Sequence, residues 1–239
     1  GPPGPPVGGA AGHRVLELPG RGCVGLRVTE HMGGDVETGC LLWSAGCCML
    51  GLACAGALDG LVRGRVLELG AGTGVVGLGL ARRGAPVAGV TLTDGQPAVV
   101  DNLRHNVAVS ASLQAFAVPL EVRHLEWGTL AGAEDLPAPV DTIVGSDLAY
   151  DGATIPLLTS LLRRLLAPVG TAGVALLAWV HRSEATTALL LECLLSDGLH
   201  WEALSFSEEA WAEARAWAEL AHDAGALGVG SLGAAAAQR

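Results

Sequence analysis

Glu68-Leu69-Gly70-Ala71-Gly72-Thr73-Gly74 joins a short apolar strand at residues 65–69 to a helix at residues 74–83, and this junction indicates the architecture of the chain. Glycines at such a junction let the backbone turn sharply and let a ligand approach where a Cβ would clash. The overlapping spacing Gly72-x-Gly74-x-x-Gly77 also matches the dinucleotide fingerprint. By itself, the loop predicts a nucleotide-containing cofactor and leaves NAD and S-adenosylmethionine both open.

Strand and helix patterns alternate along the chain on both sides of this junction. Strands are predicted at 65–69, 87–93, 119–124, 140–147, 173–180 and 200–206, and helices at 40–58, 74–83, 97–109, 155–166, 184–195 and 208–222. The alternation predicts an α/β fold with a doubly wound, mostly parallel, Rossmann-like sheet covered by helices on both faces. In such a sheet the ligand lies beyond the carboxyl ends of the strands.

The chain divides into three segments by composition. Residues 1–13 are rich in Pro and Gly and are expected to be disordered, and residues 223–239 are expected to form a flexible Gly/Ala-rich tail. The segment 14–222 carries the predicted domain. It begins with a predicted β-hairpin, strands 14–18 and 23–29 around a turn at Pro19-Gly20.

Composition and charge narrow the class of protein. Half of the 239 residues are hydrophobic, and the net charge is −10 with no lysine in the chain. The acidic balance argues against a nucleic-acid partner, because phosphate binding needs clustered Lys and Arg. The uncharged stretch 40–58 contains too much Gly, Ala, Cys and Ser for a membrane span, and a buried helix fits better. We therefore expect a soluble monomer without nucleic-acid or membrane contacts.

The cysteines and histidines indicate neither a metal site nor a disulfide framework. Four of the six cysteines lie in one apolar stretch without CxxC spacing or paired histidines, and the seven histidines are scattered. Free buried thiols are typical of a reducing compartment, so we expect the cytoplasm, with the nucleus as an alternative.

Two acids help to identify the cofactor. Asp94 ends the strand that follows the glycine loop, where a carboxylate can accept hydrogen bonds from both ribose hydroxyls of either cofactor. Glu68 stands just before the glycines, where we predict that it faces cationic sulfonium and ammonium groups. A pyrophosphate would disfavour an adjacent anion. The charge pattern therefore favours S-adenosylmethionine over NAD.

Gly145-Ser146-Asp147-Leu148-Ala149-Tyr150 follows at the carboxyl end of the fourth strand of the parallel series. This position predicts an acid and an aromatic hydroxyl at the mouth of the cofactor cleft. Asp147 can receive an incoming amine, and Tyr150 can form part of the channel wall. We assign both as candidate catalytic residues and place Ser146 on the cofactor side.

A set of motifs in this order resembles the seven-β-strand lysine methyltransferases of the methyltransferase-16 family, whose members modify elongation factors, Hsp70-type chaperones, AAA ATPases and calmodulin. The resemblance covers residues 14–206 and rests on Thr38-Gly39, Leu42-Trp43, the run 66–77, Leu92-Thr93-Asp94, Asn102-Leu103, Asn106-Val107, Leu125-Glu126-Trp127-Gly128 and Asp147-Leu148-Ala149-Tyr150. The last of these matches the DxxY motif of the family.

The resemblance implies a class I S-adenosylmethionine methyltransferase whose acceptor is a protein lysine. By the same resemblance, Trp43 closes over the cofactor and Trp127 flanks the adenine, while Asp94 holds the ribose. The remaining implied cofactor residues are Glu68, Gly70, Gly72 and Gly74. The DxxY residues Asp147 and Tyr150 would serve the acceptor amine.

The sequence also departs from the family pattern at two places, and other functions are open as alternatives. Trp43-Ser44 stands where many relatives have Trp-Asp, and the last antiparallel strand of the family is not evident after residue 207. The chief rival among enzymes is an NAD(P)-dependent oxidoreductase, which would need a Tyr-x-x-x-Lys pair or a comparable proton donor. The chain has no lysine, so it cannot supply that pair. A nucleic-acid amino-methyltransferase is disfavoured by Leu148-Ala149 in place of Pro-Pro. The rival from another class is a non-catalytic S-adenosylmethionine-binding interaction protein.

Overall fold

The computed structural model describes residues 13–18, 25–31, 38–129, 140–166, 173–221 and 232–238, and for 13–18, 31 and 232–238 it describes the backbone alone. The strands are β1 (His13–Leu18), β2 (Leu26–His31), β3 (Gly64–Leu69), β4 (Val87–Asp94), β5 (Leu120–His124), β6 (Thr142–Ser146), β7 (Val174–Val180), β8 (His200–Ala203) and β9 (Leu232–Gln238). The α-helices are α1 (Ser44–Cys54), α2 (Val75–Arg83), α3 (Pro97–Leu113), α4 (Ile155–Leu165), α5 (Glu184–Ser196) and α6 (Glu208–Ala218).

The main sheet has the strand order β5-β4-β3-β6-β7-β9-β8. Its first five strands pair in parallel, and β9 pairs antiparallel with both β7 and β8. The chain builds the sheet outward from β3, first toward β5 and then, after a reversal, toward β7. The predicted doubly wound, mostly parallel α/β sheet is confirmed, and the switch point lies between β3 and β6.

Strand β9 corrects the prediction for the C-terminal segment. No last antiparallel strand is evident in the sequence after residue 207, and the Gly/Ala-rich composition predicts a flexible tail at residues 223–239. The structure instead pairs Ala237 with Ala175 of β7 and with Trp201 of β8. Residues 222–231 and 239 lie outside the described part of the chain.

The N-terminal strands form a separate two-stranded antiparallel sheet in which His13 pairs with His31 and Leu18 with Leu26. The turn that the sequence placed at Pro19-Gly20 lies outside the described residues, as do residues 1–12. On the main chain of β2, Thr29 donates its N–H to Asn106 Oδ1 of α3 over 2.8 Å. This bond docks β2 against the α/β body.

Helix α1 accounts for the uncharged stretch at 40–58. Ten of its eleven residues, Ser44–Ala53, are buried, and the helix packs closely against α6, where Gly51 faces the backbone of Ala214. A Cβ on Gly51 would lie 2.6 Å from the Ala214 Cα, so small residues permit this approach. Among the described residues, no helix combines the length and apolarity needed to cross a membrane.

Candidate functional site

A cavity of about 490 Å³ opens at the carboxyl ends of β3, β4 and β6, next to the switch point. It contains most residues that the sequence singled out. Those lining it include Thr38, Gly39, Trp43, Gly70, Ala71, Gly72, Thr73, Asp94, Gly95, Gln96, Leu125, Glu126, Trp127, Ser146, Asp147, Leu148, Tyr150, Leu157 and Arg182. The topology therefore brings the glycine loop and the DxxY motif to one site.

The glycine loop forms the floor of the cavity. Gly72 has φ +57°, in the left-handed region, and a Cβ there would lie 2.9 Å from the carbonyl oxygen of Gly39. Glycine at 72 is therefore required both by backbone conformation and by the approach of the segment that precedes α1. The Thr73 carbonyl accepts a hydrogen bond from Asn106 Nδ2 over 3.0 Å, which fixes the loop to α3.

Asp94 ties the end of β4 to the glycine loop. Its Oδ2 accepts the Gly72 N–H over 3.2 Å, and its Oδ1 accepts the Gln96 N–H over 3.1 Å. Burial raises the pKa of the Asp94 carboxyl, against the lowering effect of these backbone donors. Each carboxylate oxygen has two lone pairs, so the group retains capacity to accept hydrogen bonds from a ligand.

Glu68 and Gly74 do not line the cavity, although the sequence placed both against the cofactor. The Glu68 side chain turns toward α2, where its Oε2 accepts the Gly77 N–H over 2.8 Å. Burial is the main reason why the pKa of this carboxyl rises to about 8. Gly74 precedes α2 with φ +82°, and a Cβ there would meet Leu103 in the core. Both residues therefore face the core on the side of α2, away from the cavity.

Two tryptophans line the cavity. Trp43 donates its Nε1–H to the Thr38 carbonyl over 3.0 Å, which holds the indole in place. The Trp127 ring approaches the glycine loop so closely that a Cβ on Gly70 would lie 3.4 Å from it. Both positions suit contact with a flat, largely apolar ring system.

Asp147 and Tyr150 line the same cavity. Asp147 adopts φ +58° directly after β6, and its N–H donates to the Ala178 carbonyl of β7 over 2.7 Å. Its Oδ1 accepts hydrogen bonds from Arg182 Nη1, over 2.6 Å, and from the Val180 N–H, over 3.3 Å. Tyr150 is 59% exposed, so it is a surface residue of the rim.

Sequence reasoning missed several residues of the cavity. Thr38 and Gly39 entered only as part of the resemblance, yet Gly39 touches the glycine loop. Gln96 follows Asp94, and its place beyond the end of β4 could have indicated a ligand contact. Arg182 had a similar signal, since it lies two residues after β7. Its pairing with Asp147 links two strands and could not be deduced from spacing.

The geometry fits a nucleoside cofactor of the size of S-adenosylmethionine. The cavity is concave, is lined mainly by apolar side chains, and has a few convergent polar groups around Asp94.

Comparison with known proteins settles the family. Residues 23–193 match a family described as lysine methyltransferase. The chain belongs to this lysine methyltransferase family. The match spans the glycine loop, Asp94 and the DxxY motif, so the resemblance inferred from those motifs is confirmed.

Curated proteins of the same kind are similar over part of their length. EEF1A lysine methyltransferase 3 of Xenopus tropicalis is 34% identical over 144 residues, 60% of this chain and 59% of that protein. The Mus musculus protein of the same name is 29% identical over 77% of this chain and 74% of its own length. Protein-lysine N-methyltransferase EFM3 of Saccharomyces cerevisiae is 31% identical, and the match covers 55% of this chain and 38% of the yeast protein.

Solved structures support the fold of this lysine methyltransferase family member. Magnesium protoporphyrin IX methyltransferase from Synechocystis PCC 6803, a structure with bound S-adenosylhomocysteine, has a TM-score of 0.51 and covers 87% of this chain and 90% of that one. Its sequence identity is 14%, so the likeness concerns the class I methyltransferase fold alone.

Proposed function

We propose that the protein transfers a methyl group from S-adenosylmethionine to the ε-amino group of a lysine in another protein. The observation that supports this most strongly is that one cavity is lined by Gly72 and Asp94 together with Asp147 and Tyr150. The membership in the lysine methyltransferase family agrees with this arrangement.

Residues on the floor of the cavity would hold the cofactor. The segment Gly70–Gly72 offers an open backbone surface, Asp94 would accept hydrogen bonds from the ribose, and Trp127 would cover the adenine. Trp43 would cover the cofactor from the side of α1. When bound, S-adenosylmethionine supplies an electrophilic methyl carbon, so the protein mainly has to align the two reactants and exclude water.

Residues at the mouth would receive the acceptor. No described residue donates a hydrogen bond to Oδ2 of Asp147, while Oδ1 is already held by Arg182 and Val180. Oδ2 can therefore accept an N–H from the amine and aim its lone pair toward the cofactor. Tyr150 and Leu157 would form the walls of the channel.

The exposed rim supports a macromolecular acceptor. Tyr150 and Leu157 are 59% and 41% exposed and lie at the cavity, so a lysine on a larger partner can reach it. The net charge of −10 favours a basic partner. Because two similar proteins are named for EEF1A, elongation factor 1A is the first acceptor to test. Cys48 and Cys193 are reduced thiols, which supports a cytoplasmic location.

One experiment tests the proposed function. The purified protein is incubated with radiolabelled S-adenosylmethionine and either elongation factor 1A or cell extract, and labelled proteins are identified by mass spectrometry. We expect label on a lysine side chain that protease releases and nuclease does not. Cofactor binding without any labelled protein would instead support the non-catalytic interaction protein.

A further inference from the structure

Arg182 lies where the cofactor side and the acceptor side of the cavity meet. It lines the cavity two residues beyond β7, the strand that neighbours the one carrying Asp147. Its side chain is 36% exposed. The resemblance gives this residue no role, and the chemistry proposed above uses it only as the partner of Asp147 Oδ1.

The first contact of Arg182 is with Asp147. The Nη1–Oδ1 distance is 2.6 Å, and the Asp147 side chain is only 9% exposed. Asp147 adopts a left-handed backbone conformation, with φ +58°. With Oδ1 engaged, the orientation of Oδ2 is fixed relative to the cavity.

The second contact of Arg182 is with Trp43. The guanidinium carbon lies 5.4 Å from the centroid of the indole ring. A planar guanidinium can donate hydrogen bonds in its plane while its face rests on an aromatic ring, and a lysine ammonium cannot do both. One side chain therefore touches both the tryptophan on the cofactor side and the aspartate on the acceptor side.

We propose that Arg182 is a positioning residue for methyl transfer, which orients Asp147 toward the acceptor amine and holds Trp43 over the cofactor. The proposal rests on the function proposed above. It predicts two separable effects, one on turnover through Asp147 and one on cofactor affinity through Trp43.

The turnover effect is tested with a double-mutant cycle of Arg182→Gln and Asp147→Asn. The assay uses a protein acceptor that the wild type methylates. We expect Arg182→Gln to lower kcat about tenfold and to leave the KM for the acceptor within about threefold, because orientation is lost while the rim is intact. In the Asp147→Asn background, Arg182→Gln should lower kcat by less than about twofold, because Arg182 acts through Asp147. Arg182→Lys, which retains the charge, should restore kcat to within about threefold of the wild type.

The affinity effect is tested by calorimetry with S-adenosylhomocysteine. Arg182→Gln and Arg182→Lys should both raise the Kd about threefold, because neither preserves the guanidinium over the indole. In a Trp43→Ala background, Arg182→Gln should have no further effect on the Kd. Melting temperatures of all variants within about 2 °C of the wild type show that folding is retained.

Arg163→Gln is the matched control, because Arg163 also pairs with an aspartate, Asp197 at 3.5 Å, but lies outside the cavity. It should change neither kcat nor Kd. Wild-type kcat in Arg182→Gln, or multiplicative losses in both cycles, would overturn the proposal. If the wild type methylates no protein, the proposed function fails, and the binding cycle with Trp43 then decides the role of Arg182.

Discussion

The Oδ2 atom of Asp94 accepts the N–H of Gly72 over 3.2 Å, so the carboxylate that ends β4 also holds the glycine loop that follows β3. The two parts of the proposed cofactor site are thus a single hydrogen-bonded unit. A change at Asp94 is expected to act on the loop as well as on the ligand.

Asp94→Ala should weaken the binding of S-adenosylmethionine and S-adenosylhomocysteine by about tenfold or more, because hydrogen bonds to a charged acceptor are lost. Calorimetry measures this directly. Asp101→Ala, which removes an exposed acid from α3, is the control and should bind like the wild type. Equal affinity in Asp94→Ala and Asp101→Ala would remove Asp94 from the cofactor site.

Gly72→Ala should lower both stability and cofactor affinity. Alanine at φ +57° costs about 1–2 kcal/mol, and its Cβ would press on the Gly39 carbonyl. Thermal melting with and without S-adenosylhomocysteine separates the two effects, since a distorted floor reduces the stabilisation by ligand. Gly89→Ala is the control, because the nearest atom to its Cβ, the Pro119 oxygen, is 3.6 Å away.

Glu68→Gln should stabilise the ligand-free protein at alkaline pH. The folded protein has a Glu68 pKa of about 8, above the ordinary value of 4.5, so it binds this proton more tightly than the unfolded chain. The stability due to Glu68 is therefore fully present below the unfolded pKa and is lost as pH rises to about 8.

Melting curves from pH 5 to pH 9 test this linkage. The glutamine can still accept the Gly77 N–H through its amide oxygen. We expect the variant and the wild type to have similar melting temperatures near pH 5. Above pH 8 the melting temperature of Glu68→Gln should be higher, by about 2–4 °C for each kcal/mol gained in the free energy of unfolding. Parallel curves for variant and wild type across this range would contradict the raised pKa.

Tyr150→Ala should reduce kcat/KM for the protein acceptor about tenfold or more and leave cofactor affinity within a few-fold, because the channel wall is opened while the floor is intact. Since Tyr150 is 59% exposed, the melting temperature should not fall. Leu195→Ala removes an equally exposed apolar side chain on α5 and serves as the control. Loss of melting temperature and of cofactor binding together would instead make Tyr150 a packing residue.

The order of elements could be predicted because periodicity and glycine spacing report directly on the backbone. The direction of the Glu68 side chain, by contrast, could not be predicted from these patterns. Side chains alternate along β3, so Val66 joins the core on the α2 side, and Leu67 and Leu69 join the core on the α4 side. The sequence indicates the alternation but not which face meets the cavity. The sequence therefore predicts that the Glu68 carboxylate faces the cofactor, whereas in the structure it accepts the Gly77 N–H.

Strand β9 and Arg182 were missed for different physical reasons. The segment Leu232–Gln238 consists mainly of alanine and glycine, which have low β-propensity, and its strand form depends on pairing with β7 and β8. Arg182 acquires its position from two neighbouring parallel strands whose contact is a property of the sheet. The local sequence pattern does not report strand pairing or contacts between neighbouring strands, and both depend on residues that are distant in the chain.

The place of β9 between β7 and β8 affects how the protein is made. On the ribosome, β8 is synthesised before β9, although β9 supplies its hydrogen-bonding partner in the sheet. The nascent chain can therefore assemble β3 to β7 first. The outer edge of β7 and the strand β8 have no partner in the sheet until residues 232–238 are synthesised. A polypeptide released before that point would expose an open sheet edge, which is a template for aggregation.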